Sequence, residues 1–294
     1  GNDTLTGGTG SDQINAGAGA DVISSGDDQD TITLTMGEAN GDAVDGGEGG
    51  TDFDVLTLVG KYTIAYNPGD PESGTINWRN GDTTTFTGIE QINFIPCFTP
   101  GTTVETLRGP VRVEDIRPGD LVLTRDSGYR PVRWVGRRRL IATDLATNPA
   151  LQPVRIAAGA LGPALPARDM VVSPQHRMLL SGPAAELLSG EAEVLAAALH
   201  LTFLPGVTRE KVGTVTYIHI LFDAHEIIRA DGAWTESFQP GSHTLGDMDA
   251  AMRAELFSIF PELATEAGQA SFTAARVCLK RHEVRAMFAG ALAA

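Results

Sequence analysis

The sequence predicts a mainly β protein: a parallel β-roll of short strands closed by a β cap, then a second all-β region ending in short helices. Three observations predict this. A nine-residue repeat fills the first third's opening 34 residues, strand-like runs punctuated by Gly and Pro follow from residue 104, and helical composition appears only after residue 248. Charge changes at the same boundary as composition. Residues 1–96 carry 16 acidic and 2 basic side chains, a balance of -14, whereas residues 97–294 carry 21 and 20, a balance of -1. So acidic a surface repels nucleic acid and anionic membranes and attracts divalent cations, so no nucleic-acid partner is expected. No apolar run approaches the ~20 residues that a membrane span needs. At 294 residues the chain can bury two cores, and its two cysteines, Cys97 and Cys278, make no disulfide framework. The chain opens at Gly1 in mid-repeat and reads as a fragment or processed product, so a missing signal peptide says nothing about export.

The repeat sets four columns in register. Asp3, Asp12, Asp21 and Asp30 form one, and Leu5, Ile14, Ile23 and Ile32 stand two residues on. Gly1, Gly10 and Gly19 precede the aspartates, and Gly8, Gly17 and Gly26 precede those; Asp28 takes the second glycine's place in the last unit. The aliphatic column points inward on a very short strand, the glycines permit positive φ, and the aspartates offer oxygen to a hard cation. These residues, over about 1–34, resemble the RTX calcium-binding nonapeptide repeat. The resemblance implies Ca2+ as ligand, with Asp3, Asp12, Asp21, Asp30, Gly8, Gly10, Gly17 and Gly19 as the site residues.

After the roll (1–35), residues 36–96 read as a β-rich cap and linker. A degenerate turn runs over 42–58 through Asp45-Gly46-Gly47-Glu48-Gly49, ending in a longer strand with Val55, Leu56 and Leu58. Tyr62–Tyr66, Gly74–Trp78 and Thr83–Phe86 alternate as strands do, with Asn80-Gly81 as a hairpin turn. The stretch runs through Ile92–Ile95 into Cys97.

Beyond Cys97, strands are expected at Val104–Leu107, Val111–Val113, Leu121–Thr124 and Tyr129–Val135, separated by turns at Arg108-Gly109-Pro110, Arg117-Pro118-Gly119-Asp120 and Asp126-Ser127-Gly128. Four ordered blocks then resemble a bacterial Hint domain, the hedgehog/intein autoprocessing fold. They are Pro96–Thr102 with Val113-Glu114, Arg117–Asp120 and Trp134; Ser173-Pro174-Gln175-His176-Arg177; Tyr217–Ile228; and Thr235-Glu236-Ser237-Phe238. The resemblance covers about 95–245 and implies a flat, horseshoe-like all-β domain over 97–247, with a helical extension over 248–294.

The resemblance assigns Cys97 as a nucleophile. Its thiol would attack the Pro96 carbonyl, an N-to-S acyl shift that leaves a thioester open to water or another nucleophile. His176 would be the general acid for the departing nitrogen and Ser173 its hydrogen-bonding support. His225 maps onto the histidine of the Tyr217–His225 block, where Ile218 stands at the family's aspartate. His219 and Asp223 share the odd parity of Tyr217 and His225, which on a strand is either a proton-relay face or a polar outer edge. Splicing inteins end in His-Asn; here Thr235-Glu236 occupies that position and no Asn follows Asn148, so cleavage without splicing is expected.

Two functions of different class follow. One is a secreted bacterial calcium-binding protein that cleaves its own Pro96–Cys97 bond, its N-terminal flank being the substrate and water or an unidentified nucleophile the acceptor, without a cofactor for the Hint chemistry. The other is an extracellular calcium-binding structural or adhesion-type protein whose Hint domain is an idle scaffold. Helices are expected over 248–262, ended by Pro261, and over 271–289, with Cys278 inside the second. His200, His243 and His282 read as surface residues and Arg137-Arg138-Arg139 as a solvated face.

Overall fold

The computed structural model describes residues 1–47, 49, 54–60, 62–67, 70–89, 91–92, 96–147, 149–240, 250–265 and 272–292. Glu48, residues 93–95 and His243 therefore lie outside the described residues. The chain forms two compact units, one of Gly1–Asn93 with Ala146–Ala150, the other of Phe94–Leu145 with Leu151–Ala294.

In the first unit successive repeats go to two sheets in turn, so each sheet gains a strand every second repeat. One sheet stacks Thr4–Thr9, Val22–Asp27, Ala43–Asp45 and Thr83–Thr87 in parallel, and the other stacks Gln13–Asn15, Thr31–Thr35, Val55–Val59 and Gln91–Ile92. Register follows the aliphatic column: Leu5 pairs with Ile23, Ile23 with Val44 and Val44 with Phe86, while Ile14 pairs with Ile32 and Ile32 with Leu56. These side chains form one core, in which Ile23, Ile32, Val44, Leu56 and Phe86 are buried. The cap is antiparallel, Thr83–Thr87 to Asp70–Trp78 to Tyr62–Asn67, with Gly81 at φ +97° in the tight turn.

The second unit is built on a large mixed sheet, with a two-stranded ribbon and a three-stranded sheet beside it. The ribbon pairs Trp134–Leu140 with Val215–Leu221, and the three-stranded sheet sets Val154–Ile156 between Met170–Val172 and Val207–Arg209. Two helices, Ala142–Thr147 and Pro183–Ser189, interrupt what the composition presents as nearly all β.

The C-terminal extension departs from expectation. Its first helix, Ala250–Ile259, does stop short of Pro261. The second begins only at Arg281 and runs to Leu292. Val277–Leu279 is a strand, paired in parallel with Glu193–Ala197, so Cys278 lies opposite Leu195 rather than in a helix. An available sheet edge overrides helical composition here. Glu283 fixes the later helix start by accepting the Lys280 N–H at 2.8 Å. His200 is buried, not superficial, in a 3-10 turn with Ala198 and Leu201. His282 and Arg137–Arg139 are exposed.

Candidate active site

Cys97 is held by its backbone on both sides. Its N–H donates to Ser173 Oγ at 2.9 Å, and its carbonyl accepts the Ser173 N–H at 3.0 Å. Phe98 next to it exchanges two backbone hydrogen bonds with Ile218, each 2.9 Å, and bridges to Val172 as well. The junction residue thus lies between the block around Ser173 and the strand Val215–Leu221.

Alternation along that strand divides its side chains. Ile218 and Ile220 enter the main core, whereas Tyr217 and Leu221 join a second cluster with Cys97, Trp134 and Phe238. His219 faces the same side. Its Nδ1 lies 3.1 Å from the Pro96 carbonyl oxygen and its Nε2 3.8 Å from Cys97 Sγ. A carbonyl only accepts, so Nδ1 carries the proton and Nε2 is left as an acceptor facing the thiol. Trp134 stacks on this imidazole, 6.3 Å between centroids at 8°, and Phe238 leans on it at 5.6 Å. Gly136, opposite His219 in the ribbon, makes room for that stack, since a β-carbon there would come within 2.1 Å of the Trp134 ring.

Burial sets the protonation states. It pushes the Cys97 thiol well up, against the pull of Ser173 and Arg138. It pushes His219 and His176 down to about 4, so both rings are neutral at neutral pH. His176 Nε2 meets Thr235 Oγ1 at 2.5 Å, and that hydroxyl donates onward to the Arg177 carbonyl at 2.9 Å. Nε2 therefore carries the proton, and Nδ1 is buried without a hydrogen-bond partner. The ring sits edge-on to Phe98 at 4.5 Å.

The parity argument for the other two residues fails because the strand ends at Leu221. Asp223 lies beyond it, exposed, in an ion pair with Arg133 at 3.1 Å. His225 is buried in a different cluster. Its Nδ1 accepts the Ala275 N–H at 2.9 Å, and its Nε2 is 3.4 Å from Glu236. Glu236 also accepts the Arg177 N–H at 2.7 Å and faces the Arg177 guanidinium at 3.3 Å. Burial opposes ionisation of Glu236, but Arg177 and His225 outweigh it and hold the carboxyl below its usual range. Sequence reasoning missed Thr235, Glu236 and Arg177 as partners, because nothing local announces an ion pair spanning 59 residues.

In the first unit the aspartates form two ladders. Asp21 Oδ1 accepts the Asp3 N–H at 2.7 Å, and Asp42 accepts that of Asp21 at 2.9 Å. On the other side Asp30 accepts from Asp12 at 2.8 Å and Asp54 from Asp30 at 2.9 Å. The Oδ2 atoms of Asp12, Asp21, Asp30 and Asp42 are buried without a hydrogen-bond partner. Burial pushes the carboxyls of Asp30 and Asp42 up. Asp3 stands exposed at the end of its ladder. Gly8, Gly10, Gly17 and Gly19 all have positive φ. Orphaned carboxylate oxygens in so acidic a stack fit a divalent cation. Among the described residues no three acidic, His or Cys side chains converge on one point. Asp42 and Asp54 escaped the repeat because the spacing changes from nine to twelve after Asp30; Asp42-Ala43-Val44 and Asp54-Val55-Leu56 keep the pattern.

A buried junction cysteine beside the two-stranded ribbon in one unit, and a roll with aspartate ladders in the other, define a two-module β protein. The Hint domain profile matches residues 96–242, half of the chain, and the RTX calcium-binding nonapeptide repeat matches 1–32 in four copies. The chain belongs to the Hint-domain family and carries repeats of the calcium-binding RTX type. Similar solved structures include the gp41-1 intein (13% identity, 48% of this chain and 97% of that one, TM-score 0.29). The intein-like domain from Clostridium thermocellum is similar at 14% identity, over 48% and 97%, with TM-score 0.30. A DnaB intein from Synechocystis sp. PCC 6803 is similar at 12%, over 48% and 98%, with TM-score 0.29. No curated protein matches the chain. Among the described residues no helix is long and apolar enough to cross a membrane.

Proposed function

We propose that this chain is a secreted calcium-binding protein that cleaves its own Pro96–Cys97 bond once per molecule, without splicing. The observation that carries the reading is a single imidazole set between thiol and scissile carbonyl, 3.8 Å from one and 3.1 Å from the other. His219 Nε2 takes the thiol proton as Sγ attacks the Pro96 carbonyl carbon, while Nδ1–H holds the developing oxyanion. Collapse breaks the C–N bond. The departing nitrogen, which faces Ser173 Oγ, gains a proton and becomes the free α-amine of Cys97. The proton that His219 takes from the thiol is the one this nitrogen gains: neutral His176 accepts it at Nδ1, its Nε2–H being committed to Thr235, and hands it to the nitrogen, so both rings end neutral. The product is a Pro96 thioester on Cys97, from which water or another nucleophile takes the acyl group.

Calcium belongs to the first unit. Asp12, Asp21, Asp30 and Asp42 would hold it with their unpartnered oxygens, and the cation neutralises carboxylates that otherwise repel across the ladder.

Incubation with hydroxylamine should split the chain into pieces of 96 and 198 residues, and Cys97→Ala should stay whole. A wild-type chain that stays whole with calcium present removes the processing reading and leaves the Hint domain as an idle scaffold.

A further inference from the structure

The apolar cluster that contains Cys97 does not come wholly from the Hint-matched stretch. Leu256, Phe260, Leu263 and Phe272 are buried in the same cluster as Cys97, Trp134, Tyr217 and Phe238, yet they lie beyond residue 242, where the family match ends. Met252, Leu256 and Phe260 recur every four residues, which places them on one helix face. The opposite face, with Ala254, Glu255 and Ser258, is exposed. Phe260 meets Phe272 edge-to-face at 6.1 Å, and Gln239 donates to the Phe272 carbonyl at 2.8 Å, which fastens the segment beside Phe238. Cys97 is left only 3% exposed.

We propose that residues 250–264 together with Phe272 form a displaceable cover over Cys97, which gates the access of water and other nucleophiles to the junction. The inference rests on the self-cleavage reading for its consequence, but not for its test. With the cover in place the thiol and imidazole stay dry, and a thioester formed there is shielded. When the cover lifts, a water oxygen bonds to the Pro96 carbonyl carbon and the C–S bond breaks. Pro96 is left as a carboxylate, one proton returns to Cys97 Sγ and one is released.

Alkylation of Cys97 by iodoacetamide, located by peptide mass spectrometry, tests access without requiring any cleavage. It is followed in the full chain through sub-denaturing urea, alongside hydrogen exchange of the strands Thr103–Thr106 and Ile227–Ala230. A cover requires Cys97 to react at urea concentrations where both strands keep their protection. Alkylation that appears only as that protection is lost means Cys97 is ordinary core, and overturns the proposal. Leu256→Ala and Phe260→Ala should each speed alkylation about tenfold with strand exchange unchanged; unaltered rates in folded variants also overturn it. If a variant unfolds globally, the wild-type comparison decides. A chain that shows gated alkylation but never splits in hydroxylamine keeps the cover and loses the self-cleavage reading.

Discussion

In the proposed cleavage His219 is the residue whose role rests most directly on geometry, because one neutral ring meets both the Cys97 thiol and the Pro96 carbonyl. His219→Ala should slow hydroxylamine cleavage at least ~100-fold, the usual contribution of a positioned acid–base group, and should also lower the urea midpoint because the ring is buried against Trp134 and Phe238. Glu236 makes a different case. Glu236→Ala would strip a buried guanidinium and imidazole of their shared partner, which costs about 3–5 kcal/mol and should appear as a lower urea midpoint. The sequence pointed to Cys97 and Ser173 through their motif, and both meet at the junction. It ranked His219 no higher than Asp223 because parity along a strand is legible, but the end of the strand is not. Leu221 closes the pairing, and Asp223 turns out to Arg133. The tautomer of His176 was illegible for another reason: Thr235, which sets it, is 59 residues away.

At the scale of elements, the roll was legible wherever its period stayed constant. Nine-residue spacing predicted the short strands and the inward column; that successive strands go to two sheets in turn came from the structure. The change to twelve residues hid Asp42 and Asp54, although both occupy the next rung of their ladders. Asp42→Asn should therefore reduce the rise in melting temperature on adding calcium, measured against a chelator control. An unchanged rise would mean the ion binds only among the nine-residue repeats. The strand Val277–Leu279 was illegible because its pairing partner, not its composition, makes it extended. His200 was misjudged as superficial although the surrounding run Ala196–Leu204 is largely apolar, a local signal of burial.

For the whole molecule, three of the four buried histidines among the described residues give the second unit a defined acid sensitivity. Burial pushes His176, His200 and His219 down from 6.5 to about 4. Between those values the unfolded chain binds protons that the folded chain refuses. The stability is fully present above about pH 6.5 and is lost as pH falls towards 4, by up to about 1.4 kcal/mol per pH unit for each histidine. Urea midpoints measured at pH 7, 6 and 5 should fall accordingly. One consequence of the Val277–Leu279 strand concerns solubility. It covers the backbone edge of Glu193–Ala197, four of whose five side chains are apolar and buried. Cutting the chain at residue 242 would bare that edge as a template for pairing between molecules. Such a fragment should form sheet-rich aggregates by light scattering at concentrations where the full chain stays dispersed. On this argument the strand that completes the sheet also guards against one copy adhering to the next.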